Sequence, residues 1–335
     1  MTGTDLLSSL VDGSPTWNLA SALAIISIVL AGIALGLGRA FSSRRLWAWG
    51  TEELGQAVLN VALLAVLATA ITFSSGIVND LLPAGTYLGC ASGLPPDTHA
   101  AMNYTLCAIQ NASLISQAAG SALILQSYKM GLLASLSMDL NVVSAQPYQA
   151  LAWPAKTFAD WAQALGGWEA LLEADRQFLA MVAMQGFALF LPAGLLFRLF
   201  FATRKLGGAL MAGAIAFYVV YPLALGTLML YGPSAQAGAN AMAALNANDQ
   251  ALSVLPASLD WNQPGVIANM MKGLDGQDLA ARAAGVYGPM AALQGALMLD
   301  AVVYPLMALL VSAAAGVGMA GLLGAELKLD LMEMA

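Results

Sequence analysis

Charged residues are scarce in this sequence. Only 9% of its 335 residues are charged and 59% are hydrophobic, whereas a soluble domain is roughly 25% charged and 45 to 50% apolar. The scarcity excludes an ordinary soluble domain and indicates a membrane protein. The apolar runs are about twenty residues long, which is the length that a helix needs to cross a hydrocarbon core of about 30 Å. Because lipid leaves only helices and closed barrels as spanning structures, we predict an all-α integral membrane protein.

Residues that carry catalysis are scarce as well. The chain has one histidine, His99, and two cysteines, and it has no HExxH, GxSxG, CxxC or Walker-type phosphate loop. We therefore predict no enzymatic activity, no cofactor and no metal site. The net charge of −7 argues against a surface that binds nucleic acid by neutralising phosphates. The first eighteen residues contain no Lys or Arg, so they lack the basic region of a cleavable signal peptide, and we expect the first apolar helix to be kept.

Five runs are long and apolar enough to span a bilayer. They cover Asn18 to Gly38, Leu54 to Ile77, Phe178 to Phe200, Leu206 to Tyr231 and Gly288 to Leu323. The fifth run is longer than a bilayer requires, so we expect it to be tilted, kinked or extended beyond the membrane.

Lysine and arginine in the short connections predict the orientation, because the cytoplasmic side carries their excess. The cations lie between the first and second spans and around the connection of the third and fourth spans; they are Arg39, Arg44, Arg45, Arg198, Arg204 and Lys205. With five spans both clusters face the cytoplasm, the N-terminus is outside and the C-terminus is inside. Arg198 is the deepest of these cations, and we expect it to snorkel to the inner interface.

This topology divides the chain into five parts. They are spans one and two (1–77), a first external segment (78–177), a hairpin of spans three and four (178–231), a second external segment (232–287), and the fifth span with a cytoplasmic tail (288–335). We read Ile109 to Leu140 as an external amphipathic helix, because polar residues recur every three or four positions. A seven-span alternative needs another crossing near Lys156 and Asp160, where insertion is costly.

The only two cysteines, Cys90 and Cys107, both fall in the first external segment. An even pair on the oxidising side of a membrane favours a disulfide, which by chain entropy contributes about 3 kcal/mol for a loop of this length. The alternative is two unpaired thiols.

Proline lies near the middle of each of the last three spans, at Pro192, Pro222 and Pro305. Each removes an intrahelical hydrogen bond and is expected to kink its helix. Such kinks favour a packed or gated core, although proline is also common in membrane helices without a special role.

Asp300 lies within the fifth span. An intramembrane carboxylate is costly and marks a candidate polar site. It either lines an aqueous path, pairs with a cation, or makes a packing hydrogen bond to Gln185, Gln294 or Tyr304. At the start of the second span, Glu52 and Glu53 suit the N-terminus of a helix, where carboxylates are favoured.

The layout of spans and external segments resembles the polytopic inner-membrane component of type IV secretion systems, the TrbL-like family, and its archaeal counterpart in the Ced DNA-import apparatus. The stretch from Leu191 to Pro222, LPAGLLFRLFFATRKLGGALMAGAIAFYVVYP, also looks like a motif of archaeal membrane proteins. The resemblance implies a homo-oligomeric ring in the cell membrane beneath a pilus, contact with a cytoplasmic hexameric ATPase, and passage of pilin subunits or DNA.

Two functions follow from these observations. The first is a non-enzymatic channel or scaffold subunit of a DNA-transfer or pilus-assembly machine. The alternative is a secondary transporter or ion channel that uses Asp300. The alternative has less support from the sequence, because five spans do not divide into inverted repeats.

Overall fold

Helices form almost all of the structure. The computed structural model describes residues 15–81, 100–139, 144–146, 148–198, 203–253 and 276–323. Its α-helices are α1 Pro15–Ala40, α2 Arg44–Leu81, α3 Ala100–Ser135, α4 Ala152–Met181, α5 Phe187–Arg198, α6 Arg204–Ile215, α7 Tyr221–Leu230, α8 Ser234–Ala251, α9 Gly276–Gly285, α10 Tyr287–Met298 and α11 Tyr304–Leu322. Within the described ranges, extended backbone is limited to an antiparallel pairing of Met138–Asp139 with Ser144–Ala145, and a 3-10 turn covers Gln149–Leu151. The all-α prediction is confirmed.

In the described part of the chain, three π-helical turns join consecutive α-helices. They cover Val182–Gly186, Ala216–Val220 and Leu299–Val303. The second and third each end two residues before a proline within the same pentapeptide, VVYPL, which contains Pro222 in one case and Pro305 in the other. A proline has no N–H and clashes with the carbonyl one turn earlier. The π turn stands at the same distance before Pro222 and Pro305. This indicates that the wider π turn accommodates the proline ring and its missing hydrogen bond without ending the helix.

The predicted kinks at the three prolines therefore take two forms. The helix that ends at Gly186 and the helix that begins at Leu189 form a bent pair, and this break lies one turn before Pro192. By contrast, Arg204–Leu230 and Gly276–Leu322 each run as one helix through their prolines. In these two helices the π turn takes the place of a break.

Several helices are long and apolar enough to cross a membrane. Among the described residues there are three, Ser21–Ala40, Arg204–Leu230 and Gly276–Leu322, or four if the bent pair ending at Arg198 forms one span. The predicted span Leu54 to Ile77 falls on α2, where several side chains lie outside the described part. The helices are consistent with a multi-pass membrane protein.

The chain forms two compact units. The first unit comprises 1–107, 177–228 and 306–335, and the second comprises 108–176 and 229–305. Much of the second unit comes from the two segments predicted to be external.

In the first unit, α1 and α2 form a tight hairpin. The turn contains Ser42, which has a positive φ of 49°, and Ser43 donates its N–H to the Gly38 carbonyl at 3.0 Å. A Cβ atom at Gly38 would lie 2.7 Å from the backbone nitrogen of Trp47. A side chain at position 38 would therefore push the helices apart.

Helices α5 and α6 also approach closely through glycine. A Cβ at Gly194 would lie 2.5 Å from Met211 Cγ, and a Cβ at Gly207 would lie 2.5 Å from the Gly194 carbonyl oxygen and 2.7 Å from Arg198 Cγ. Small residues at an interface let membrane helices pack backbone to backbone. This contact fixes the stem of Arg198 against α6.

Gly207→Ala is expected to destabilise the first unit by about 1–3 kcal/mol or more, because the new methyl group meets backbone atoms that cannot move independently. Denaturant titration of the detergent-solubilised protein, followed by tryptophan fluorescence, measures the change. Gly213→Ala is the matched control on α6, since its Cβ would meet nothing within 4 Å. Equal stabilities of the two variants would contradict the close packing.

The second unit is packed around apolar and aromatic side chains. Tyr287 makes edge-to-face contacts with Trp153 and Trp161, with ring centroids 5.3 and 5.2 Å apart. Phe158 is fully buried and lies 6.3 Å from the Tyr287 ring. These contacts join α4 to the start of α10 and give this unit an apolar core of its own.

Candidate functional site

Asp300 is buried inside the second unit. It is 1% exposed and belongs to the π turn Leu299–Val303. The Ser234 side chain approaches the carboxylate, but neither carboxylate oxygen has a hydrogen bond of good geometry among the described residues. The predicted hydrogen bonds to Gln185, Gln294 or Tyr304 are therefore not made, and Gln294 Nε2 itself lacks a partner in the described part.

The turn between α7 and α8 lies against this carboxylate. A Cβ at Gly232 would be 3.1 Å from Asp300 Oδ1 and 3.4 Å from Tyr304 Cε2. Gly232 donates its N–H to the Met229 carbonyl at 3.1 Å, which closes the turn. A glycine at this position gives the carboxylate room that a larger residue would fill.

An ionised Asp300 carboxylate can only accept hydrogen bonds. Burying such a group without a donor costs free energy. A π turn inside a helix is frequent at functional sites. The free oxygens of Asp300 are therefore able to take a proton or a small cation. Sequence reasoning found this residue, but it did not find Gly232 or Ser234, which are distant from it along the chain.

An ion pair connects α2 and α6 in the first unit. Arg204 Nη2 lies 2.6 Å from Glu53 Oε2, and Arg204 Nη1 lies 3.4 Å from Glu52 Oε1. The side chains of Arg204 and Glu53 are only 16% and 11% exposed, whereas Glu52 is exposed at 58%. The pair with Glu53 is thus largely shielded from water.

This pairing corrects the role predicted for the two glutamates. Helix α2 begins at Arg44, so Glu52 and Glu53 lie in its third turn and not at its N-terminus. The helix dipole acts on the first turn only. The carboxylates are held by Arg204 instead.

Arg198 is buried at the end of α5, with 4% of the residue exposed. Its Nη2 is 3.4 Å from both Gln56 Oε1 and the Leu323 carbonyl oxygen, and Nε and Nη1 have no partner among the described residues. This differs from the predicted snorkelling, because the close contact between α5 and α6 holds the side chain inside the unit.

The other predicted topology cations are at the surface. Arg39 lies in the last turn of α1, Arg44 and Arg45 begin α2, and Lys205 follows the ion-paired Arg204 on α6; all four are exposed. Their positions flank short connections. The cytoplasmic placement of these connections stays a prediction.

The predicted disulfide falls partly outside the described residues. Cys107 is buried on α3, and Cys90 lies outside the described ranges. The pairing of these two residues stays a prediction.

A buried polar network in the second unit was not predicted. Asn248 Nδ2 donates to Gln126 Oε1 at 2.7 Å, and Gln126 Nε2 donates to the Leu245 carbonyl at 2.8 Å. One turn further along α3, Lys129 Nζ pairs with Asp249 Oδ1 at 2.7 Å. The network joins α3 to α8. The sequence signal was present, because Gln126 falls on the same face as the buried Leu123 and Met130.

Gln126→Leu is expected to cost about 1–3 kcal/mol of unfolding free energy, since it leaves the buried Asn248 amide without its acceptor. Urea titration of the full-length protein in detergent measures this loss. Gln117→Leu on the same helix changes an exposed glutamine and should alter stability by less than about 0.5 kcal/mol. A similar loss in both variants would show that the network is not responsible.

Comparisons with known proteins give no relatives. No protein-family model matches the chain, and no curated protein or solved structure matches it. In the described part of the chain, no three His, Cys, Asp or Glu side chains are grouped so that they could hold a metal ion.

Proposed function

We propose that the protein is a non-enzymatic channel or scaffold subunit of a membrane machine that transfers DNA or assembles a pilus, similar to type IV secretion systems. The observation that carries this proposal is the second unit, 108–176 with 229–305. Its helices are joined by the Gln126–Asn248 network and by the aromatic contacts of Tyr287. A folded unit of this size offers binding surface that a simple connector between spans does not need.

The proposal includes a definite topology. The protein lies in the cell membrane with five spans, an external N-terminus and a cytoplasmic C-terminus, and it forms a homo-oligomer. The expected partners are pilin subunits, a cytoplasmic hexameric ATPase and DNA that passes through the assembly. Five spans require that the bent pair ending at Arg198 forms one span, which gives four candidate helices, and that α2 forms the fifth.

Labelling of Ser144→Cys tests this topology. Position 144 lies in the first segment predicted to be external, so a membrane-impermeant maleimide is expected to react with it in intact cells. Matched variants at Arg44 and Arg45 should react only after the membrane is permeabilised. Protection of position 144 in intact cells would indicate an additional crossing and contradict the five-span topology.

Deletion of the gene in its source organism tests the function itself. Loss of DNA transfer or of pili, restored by the wild-type gene, is the expected result. The Asp300→Asn gene should also restore the phenotype if the protein serves as a scaffold. Normal transfer and normal pili in the deletion strain would contradict the proposal.

The buried carboxylate of Asp300 favours a second candidate, a secondary transporter or ion channel. Asp300 lies in a π turn within the candidate span Gly276–Leu322, and carboxylates within membrane spans commonly mark ion pathways. Purified protein in liposomes should then conduct ions or protons alone, and Asp300→Asn should abolish the flux while the exposed control Asp278→Asn retains it. Absence of any flux from the folded wild-type protein would exclude this candidate.

A further inference from the structure

Arg198 differs from the other described cations of the first unit because it is buried and largely unpaired. A guanidinium has five N–H donors and remains charged in proteins. Three of these donors, on Nε and Nη1, have no partner in the described part of the chain, and the contacts of Nη2 are long at 3.4 Å. A buried charge in this state is costly unless an anion meets it.

The nearby carboxylates do not fill this need. Glu53 is committed to Arg204 at 2.6 Å, and Glu52 lies 3.4 Å from the same guanidinium. Among the described residues, no carboxylate forms an ion pair with Arg198. The neighbours of its guanidinium are a neutral amide, Gln56, and the Leu323 carbonyl.

The backbone holds Arg198 ready for a ligand. Gly207 on α6 lies so close that a Cβ there would be 2.7 Å from Arg198 Cγ and 2.8 Å from its backbone nitrogen. The aliphatic stem is therefore fixed before any ligand arrives, which lowers the entropy cost of binding. The long Nη2 contacts leave the guanidinium able to turn toward a stronger acceptor.

We propose that Arg198 binds the phosphate group of an anionic phospholipid. Arg198 ends the apolar helix Leu189–Arg198, and the candidate span Arg204–Leu230 begins six residues later, so we expect the residue to lie where the spans meet the head groups. Planar guanidinium groups match phosphate oxygens in charge and geometry. Basic sites between membrane helices bind lipid head groups in this way.

The same helix carries apolar surface that suits the rest of a lipid. Leu189, Phe190 and Leu196 on α5 are 64%, 44% and 43% exposed, and Leu189 and Leu196 lie on the face of the helix opposite Arg198. Acyl chains of a lipid whose head group meets the end of α5 would pack on this surface. Free inorganic phosphate has the same head-group chemistry but gains nothing from this apolar contact, so the lipid is expected to bind more tightly.

The test measures ligand-dependent thermal stability of the full-length protein in uncharged detergent. The probes are dioleoylphosphatidylglycerol, dioleoylphosphatidylcholine and inorganic phosphate, the last against chloride at equal ionic strength. The anionic lipid is expected to raise the melting temperature of the wild-type protein in a saturable way. Arg198→Gln should weaken the apparent affinity by about tenfold or more, and Lys205→Gln, which changes an exposed cation on α6, should leave it within about twofold of wild type.

The results distinguish a phosphate group that belongs to a lipid from a free phosphate ion. A saturable effect of inorganic phosphate equal to that of the lipid, lost in Arg198→Gln, would retain the phosphate site but assign it to the free ion. No ligand effect, or the same effect in Arg198→Gln as in wild type, would overturn the proposal. If Arg198→Gln does not fold, Arg198→Lys keeps the charge and removes the planar fork, and unchanged lipid affinity in that variant would overturn the proposal.

The chain's own carboxylates provide the remaining control. Glu326 follows Leu323 by three positions and lies outside the described residues. Loss of stability in Glu326→Gln that is as large as in Arg198→Gln, and not additive with it, would show that an internal carboxylate occupies the site and would overturn the proposal. The readout is binding and stability, so its outcome is independent of the proposed function.

Discussion

Arg204→Ala is expected to lower the unfolding free energy by about 3–5 kcal/mol, because it leaves the Glu53 carboxylate buried without its partner. The pair is shielded, with side chains 16% and 11% exposed and a contact of 2.6 Å. The change should separate α2 from α6, and denaturant titration with near-UV circular dichroism on the detergent-solubilised protein measures it.

The double variant Arg204→Met with Glu53→Leu separates the pair's own contribution from the cost of an orphaned charge. Apolar replacement of both members is often neutral or stabilising, so we expect most of the lost stability to return. Arg282→Ala is the exposed control, since its pair with Asp278 has side chains 55% and 57% exposed and should contribute less than about 1 kcal/mol. Equal losses for Arg204→Ala and Arg282→Ala would refute the importance of burial.

Asp300→Asn is expected to raise the unfolding free energy by about 2 kcal/mol, because an unpaired buried carboxylate costs more than a neutral amide of the same shape. The free oxygens and the 1% exposure of the residue are the basis of this expectation. Residues kept at a cost to stability are frequent at functional sites. Thermal unfolding of the purified protein measures the gain.

Asp278→Asn is the matched control for this change. Its carboxylate is exposed and pairs with Arg282 one turn away, so the amide should alter stability by less than about 0.5 kcal/mol. A loss of stability in Asp300→Asn, in place of the gain, would mean that the carboxylate has a stabilising partner such as a bound cation. Repeating the measurement with sodium, potassium and calcium salts would then identify that ion.

The helical class was predictable because composition and run length constrain a membrane protein strongly. Segments such as Asn18 to Gly38 have few ways to satisfy their backbone in lipid, so their helical state follows from the sequence. The positions of Pro222 and Pro305 were also visible. The effect of these prolines on their helices could not be predicted from the sequence. A proline is compatible with a kink, a break or a π turn, and the packing of neighbouring helices determines which of these forms.

The sequence predicted less about the candidate polar sites, because it did not reveal the partners of their side chains. Asp300 stands out in any apolar run, but its neighbour Gly232 comes from a turn far away in the sequence. Glu53 has an adequate local explanation at a helix start, and only the position of α6 reveals its pairing with Arg204. Arg198 likewise fits a snorkelling role by sequence, whereas Gly194 and Gly207 bring two backbones together and bury it.

The sequence by itself determined that this protein is helical, apolar and equipped with a few isolated charges in long hydrophobic segments. These properties depend on composition and on local spacing, which are independent of how the chain folds back. The tertiary structure decided which charges are paired: Arg204 joins Glu53, while Asp300 and Arg198 are buried without ion-pair partners among the described residues. The physical reason is that pairing depends on distances of a few ångströms between helices, and packing between helices sets those distances, as the glycine contacts of α5 and α6 do for Arg198.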